Sequence, residues 1–308
     1  MHKKIRLILL TGFLGSGKST WLAKLLKEEK QKGSKAAVLM NELGDYSVDT
    51  TLVGDDVPLQ ELLKGCICCT LKDEVEIQLI NLVMMHEPDV IFIESTGVAH
   101  PMEIIDACMS PLIVQKLDLV GVYHAVDAER WANREKLPRP IRHLLEDQVR
   151  YADELLLNKI DTVSKEEREA ISLELRALNQ TARYYESSFA EILHMPAPRR
   201  MTVVEERMDT FHVKKELGIK SLAYTFSSSI SRKAFEEWLK NVPDSVLRVK
   251  GFVQYEDQNG PTLVQVAYGV ANYVEQEIRF PTTLIVIGHH LEKQEIIDSL
   301  EMLERAAS

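Results

Sequence analysis

Gly12-Phe13-Leu14-Gly15-Ser16-Gly17-Lys18-Ser19 reads G-x-x-x-x-G-K-S, the phosphate-binding loop pattern. Residues 5–10 before it are apolar apart from Arg6, which suits a strand buried on both faces. After it, Trp21, Leu22, Leu25 and Leu26 recur on one helical face with lysines and glutamates opposite. The glycines therefore lie between a strand and a helix, the setting the motif requires. A glycine-rich turn that binds nothing would need neither neighbour. Gly12, Gly15 and Gly17 let the backbone turn its N–H groups toward phosphate oxygens, and the helix N-terminus adds partial positive charge. Lys18 is expected to reach the β- and γ-phosphates, and the Ser19 hydroxyl to hold Mg²⁺.

Working outward, residues 36–40, 89–93, 117–126 and 154–157 read as further buried strands. Helical patterns separate them, at Val75, Leu79 and Leu82, at 141–151, and at Ile171, Leu175 and Leu178. Ser164 with Glu167 forms a capping box for the last of these, and Thr70 with Asp73 resembles a capping pair for the first. Such alternation predicts a mostly parallel sheet covered by helices on both faces, with ligands beyond the carboxyl ends of its strands. Gly12, Asn41-Glu42, Glu94, Asp127 and Asn158 each follow a strand, so they should gather along one edge. Asp127 is read as the cap of the next helix. The proline-containing stretch 195–200 breaks the pattern. Beyond it, residues 249–255 and 262–268 flank Glu256-Asp257-Gln258-Asn259-Gly260, a hairpin signal, with a strand at 282–287 and helices around Trp238 and Leu300. The expected architecture is an α/β P-loop NTPase domain over 1–195, a linker over 196–221 and a smaller α+β domain over 222–308.

Asn158-Lys159-Ile160-Asp161 fits N-K-x-D. An aspartate at that offset accepts hydrogen bonds from guanine N1–H and the exocyclic amine. Adenine offers no such pair and would leave the carboxylate desolvated. The lysine stem packs on the base plane and Asn158 ties the loop together. Glu94 closes the strand in which phosphate-loop proteins carry a metal-side carboxylate, where it serves Mg²⁺ or orients the attacking water. Gly97 lets a backbone N–H approach the γ-phosphate. The pattern supplies no water-positioning glutamine and no arginine finger, so intrinsic GTP hydrolysis is expected to be slow.

Composition narrows the partners. The 308 residues are 45% hydrophobic and 27% charged, with 37 basic and 47 acidic side chains and a net charge of −10. An acidic chain without a basic tract is a poor ligand for nucleic acid or an anionic membrane. The run at 5–10 is too short for a signal peptide core and no run approaches a membrane span, so a cytoplasmic location is expected. Three of the four cysteines fall in Cys66-Ile67-Cys68-Cys69. C-x-C-C is too compact for a zinc ribbon, yet three soft ligands can share one Zn²⁺ or Co²⁺. The helix start behind them favours thiolates over thiols. Glu42, after the second strand, is a candidate fourth ligand or a contact that changes with nucleotide state. Cys108 is isolated and reads as core.

Taken together and in this order, residues 11–20, Asn41-Glu42-Leu43-Gly44, residues 65–69, Glu94-Ser95-Thr96-Gly97 and Asn158-Lys159-Ile160-Asp161 resemble the CobW-like metal-chaperone GTPases. Gln148, Ala152 and Asp153 match as well, and Lys250-Gly251 with Ile287-Gly288 resemble motifs of that family's C-terminal domain. The resemblance implies nucleotide contacts at Gly12, Gly15, Ser16, Gly17, Lys18, Ser19, Thr20, Gly97, Asn158, Lys159 and Asp161, with Lys18 and Glu94 carrying hydrolysis. It implies a transition metal, zinc or cobalt, at Cys66, Cys68, Cys69 and Glu42, Mg²⁺ at Ser19, and delivery of the metal to a client protein timed by GTP. Leu43 stands where phenylalanine is common. The histidine-rich stretch of many relatives is missing, leaving only His194 and His212 near the linker. His289-His290 is read as serving the last helix. A small-molecule kinase using the same loop and a non-catalytic metal sensor or store are the competing readings; Asp161 weighs against the first. The C-terminal strands offer a surface for a client or a second copy of the chain.

Overall fold

The computed structural model describes residues 3–40, 59–61, 71–188, 191–192, 219–267, 270–276, 280–289 and 291–306. Glu42, Cys66, Cys68, Cys69, the Thr70 cap, His194, His212 and His290 lie outside them.

The first strand, β1 (Ile5–Gly12), leads through the glycine loop into α1 (Lys18–Gln31). Then follow β2 (Ala36–Met40), β3 (Leu59–Glu61), α2 (Leu71–His86), β4 (Val90–Glu94), α3 (Pro101–Cys108), β5 (Leu117–Asp127) and the short α4 (Ala128–Ala132). The domain closes with α5 (Arg139–Arg150), β6 (Glu154–Asn158), α6 (Lys165–Leu178), β7 (Arg183–Ser188) and β8 (Glu191–Ile192). The strands order as β3-β2-β4-β1-β5-β6-β7-β8, parallel throughout except that β8 turns back antiparallel on β7.

Strand alternation divides the core into two layers. Leu7 and Leu9 of β1, with Ile91 and Ile93 of β4, face α2 and α3 through Val75, Leu79, Leu82, Ile104 and Ile105. Ile8, Leu10 and Phe92 point the other way, onto Trp21, Leu22, Leu25 and Leu26 of α1. Burying each such leucine or isoleucine contributes roughly 1.5–3 kcal/mol, which is why near-continuous apolar runs make these strands. Ser164 and Glu167 make the reciprocal capping bonds that start α6. The pattern left β3, β7 and β8 unread because they are short or half-polar.

The C-terminal unit comprises β9 (Ile219–Thr225), α7 (Arg232–Asn241), β10 (Val246–Gln254), β11 (Pro261–Ala267), β12 (Val270–Glu275), β13 (Thr283–His289) and α8 (Lys293–Ala306). Its antiparallel order is β12-β11-β10-β13-β9. One face packs on the two helices through Phe235, Val264, Leu284 and Leu300. The other carries Ile285 and Ile287 into the same apolar cluster as α2 and α3. Two ion pairs tighten that junction, Arg248–Asp106 at 2.7 Å and Lys250–Glu76 at 2.9 Å. His289 closes β13 with its ring stacked on Tyr151 at 5.3 Å, and Tyr151 in turn meets His100 edge-on at 5.1 Å. The sequence placed His289 ahead of the last helix and gave no sign of this contact. Among the described residues no helix is long and apolar enough to cross a membrane.

Candidate nucleotide site

Parallel pairing brings strand ends that are distant in sequence to one edge. Leu10 pairs with Glu94, Gly12 with Ala125, and Asp127 with Asn158, so the glycine loop, the Glu94 loop and N-K-x-D lie side by side as expected. Met40, the residue before Asn41-Glu42, pairs with Glu94 from the far side.

Gly12, Gly15 and Gly17 all have positive φ (144°, 76° and 100°), which folds the loop into a cradle of backbone N–H groups. Gly17 also caps α1 in the left-handed conformation. A Cβ there would lie 2.3 Å from Asn158 Nδ2, which donates to the Ser16 carbonyl at 2.9 Å. Asn158 thus ties the N-K-x-D loop to the phosphate loop. Lys18, almost fully buried, folds its ammonium onto the Gly12 carbonyl at 2.9 Å. The Ser16 hydroxyl is buried and has no protein partner among the described residues. Ser19 Oγ donates to Glu94 Oε1 at 2.8 Å, bringing the Mg²⁺ candidate and the hydrolytic candidate into contact. Thr20 is exposed one position further along α1. A buried ammonium within a cradle of donors, and a hydroxyl against a carboxylate, form a donor set that suits a nucleotide polyphosphate and its Mg²⁺.

Gly97 follows Glu94 by three residues. A Cβ on it would lie 2.5 Å from the Leu14 nitrogen, so only glycine lets this loop rest on the phosphate loop. Ser95 N donates to the Leu10 carbonyl at 2.9 Å, which fixes the loop where it leaves the sheet. At the base end, Lys159 adopts a left-handed φ of 60° and its ammonium pairs with Asp127 Oδ2 at 2.7 Å. Asp127 Oδ1 accepts from Arg130 N, so the aspartate caps α4 as read and also holds the lysine. Asp161 is exposed on the turn Ile160–Thr162, open to a base.

The chain is built from two matched parts. A family model described as the CobW/HypB/UreG nucleotide-binding domain matches residues 6–186, and one described as the cobalamin synthesis protein cobW C-terminal domain matches residues 219–304. The chain belongs to the CobW family. The zinc chaperone YjiA of Escherichia coli is 32% identical over 95% of this chain and 96% of its own length. The zinc chaperone CobW of Sinorhizobium is 28% identical over 93% of each. The zinc-regulated GTPase metalloprotein activator 1 of Dictyostelium discoideum is 29% identical over 81% of this chain and 63% of its own.

Within this CobW-family protein the site has parts that the motifs did not announce. His124 of β5 lies with Nδ1 2.9 Å from the Thr11 hydroxyl, directly below the phosphate loop. Burial, and then the Lys18 charge, hold its pKa down at about 3, so the ring stays neutral. A histidine in an otherwise apolar strand just ahead of Asp127 was the available signal. Gln148 matched the family, but its partners at Gly97 and Ala99 were not legible. Cys108 is buried as expected. Burial, and then the Asp106 charge, push its thiol above the usual range, which makes it inert.

Proposed function

We propose that this CobW-family protein is a cytoplasmic GTP-hydrolysing metallochaperone. It binds one transition metal, Zn²⁺ or Co²⁺, through Cys66, Cys68 and Cys69 with Glu42 as the further ligand, and delivers it to a metal-requiring client. Lys18 neutralises the β- and γ-phosphates, Ser19 holds Mg²⁺, Glu94 serves the metal or the attacking water, and Asp161 selects guanine. Mg²⁺ supplies charge neutralisation at the developing phosphate oxygens. Hydrolysis by the isolated protein is slow, because the sequence motifs supply neither a water-positioning glutamine nor an arginine finger.

The observation that carries this reading is the packing of α2 on α3. The first begins two residues after Cys69 and the second four residues after Gly97, and Val75, Leu79 and Leu82 share one core with Ile104 and Ile105. A shift at the γ-phosphate loop therefore presses on the helix that the cysteines lead into. Relatives named zinc chaperones and a zinc-regulated GTPase activator support the choice of cargo.

The test is anaerobic metal competition against a chromogenic chelator with GDP or a non-hydrolysable GTP analogue. Nucleotide-dependent Zn²⁺ affinity is expected. Equal affinity in both nucleotide states would remove the coupling and leave a metal store.

A further inference from the structure

We infer that Gln148 is a positioning residue for GTP hydrolysis: its side-chain amide holds the loop at 95–99 against the phosphate loop so that the Gly97 N–H meets the γ-phosphate. This rests on reading the site as a GTPase. Gln148 sits near the end of α5 and is completely buried. Its Nε2 lies 3.3 Å from the Gly97 carbonyl and 3.0 Å from that of Ala99. Two carbonyls fix the amide's orientation, since only the NH₂ end carries two donors.

The opposite end supports a specific role. Gln148 Oε1 is buried and accepts no hydrogen bond among the described residues. An apolar side chain of similar volume would fill the space without that penalty, so what the glutamine adds is its pair of donors. They bind the peptide whose Cα hydrogens face Leu14 and Phe13 too closely for any Cβ.

The platform behind the amide is fixed from three directions. Leu145 and Val149 lie in the core with Val126 and Leu155. Asn179 Nδ2 donates to the carbonyls of Val149, Arg150 and Ala152, which locks the end of α5. Tyr151, the next residue, packs between His100 and His289. Gln148 thus projects from the packed end of α5 onto the loop that follows Glu94. A donor pair anchored there sets the loop's resting place to within hydrogen-bond tolerance, and a 1 Å misplacement of such a group costs about 10²-fold in rate.

The full chain with Gln148→Leu, which keeps volume and removes both donors, tests this beside Gln148→Glu, which keeps the shape and replaces the NH₂ with a charged acceptor. Affinities for fluorescent GDP and for a non-hydrolysable GTP analogue are measured with single-turnover hydrolysis and thermal melting. Both variants are expected to bind GDP within about threefold of wild type, to lose about tenfold in preference for the analogue over GDP, and to hydrolyse about 10²-fold more slowly. Unchanged hydrolysis and an unchanged analogue-to-GDP ratio in either folded variant would overturn the inference. So would a parallel loss of both affinities that tracks a lowered melting temperature. If the leucine variant does not fold, the glutamate variant carries the test. The wild-type rate checks the GTPase reading separately, and the affinity ratio tests Gln148 even in a wild type that does not turn over.

Discussion

Ser19 Oγ donates to Glu94 Oε1 across 2.8 Å, which joins the first turn of α1 to the end of β4. A hydroxyl and a carboxylate in contact at the edge of a phosphate cradle can share one Mg²⁺ or one water. Glu94→Ala is expected to slow single-turnover GTP hydrolysis by about 10²-fold, the range of a lost acid–base or metal-side group. GDP affinity should change little. An unaltered rate would remove Glu94 from the hydrolytic machinery.

Asp161 stands exposed beyond Lys159, whose ammonium is tied to Asp127. Asp161→Asn replaces one acceptor by a donor facing guanine N1–H and the amine. GTP affinity is expected to fall by about 10²-fold or more, with a gain for xanthine nucleotides, whose 2-oxo group accepts from the new amide. Nucleotide competition measures both. Undiminished preference for GTP would place base selection elsewhere.

The cysteines make a separable prediction. Single Cys66→Ala, Cys68→Ala and Cys69→Ala variants should each lose most Zn²⁺ affinity while binding GDP as wild type does. Wild-type binding should strengthen with rising pH, because thiols release their protons to bind metal. Chelator competition across pH 6 to about pH 8 reads this out. Full retention of affinity in the variants would reject the C-x-C-C site.

Arg248 and Asp106 form an ion pair whose aspartate side chain is only 6% exposed. Arg248→Ala removes that partner at the junction of the two domains. The expected cost is about 3–5 kcal/mol in denaturant unfolding, because a largely buried carboxylate loses its counter-charge. The double variant Arg248→Ala with Asp106→Asn should recover much of it. If the arginine variant unfolds as wild type does, the pair carries no stability.

Glu29 provides a pH signature. Burial pushes its carboxyl up, but hydrogen bonds from Arg6, Lys32 and Ser34, with the Arg6 charge, outweigh that and bring it from 4.5 to about 2. A depressed carboxylate pKa stabilises the fold above the unfolded value, and this contribution is lost as pH falls from about 4.5 toward 2. Melting temperatures of wild type and Glu29→Gln should therefore converge across that window and differ at neutral pH. A constant gap would contradict the assignment.

The elements read correctly from the chain share a short range. The glycine loop, the Ser164–Glu167 box and the buried strands at 36–40 and 154–157 are each specified by residues within a few positions of one another. Steric freedom, capping bonds and apolar periodicity act at that distance. Strand β12 escaped because its outer face carries Val270, Asn272 and Val274 in the open, so no buried alternation marks it. His124 was marked only as a histidine in an apolar strand, its contact with Thr11, 113 residues away, being invisible, and Arg248 against Asp106, 142 residues away, had no local signature at all.

By itself the sequence determined the phosphate-loop and N-K-x-D motifs, because the patterns at Gly12, Lys18, Ser19 and Asp161 are each set by the backbone shape or hydrogen-bonding groups of one short segment. Only the tertiary structure decided what those segments touch. The order β2-β4-β1-β5-β6 sets Ser19 against Glu94, Asn158 against Ser16 and Gln148 against Gly97, and it lays the C-terminal sheet on α2 and α3. Such pairings depend on which apolar faces bury one another across the whole domain, a property of the summed core that no single stretch carries.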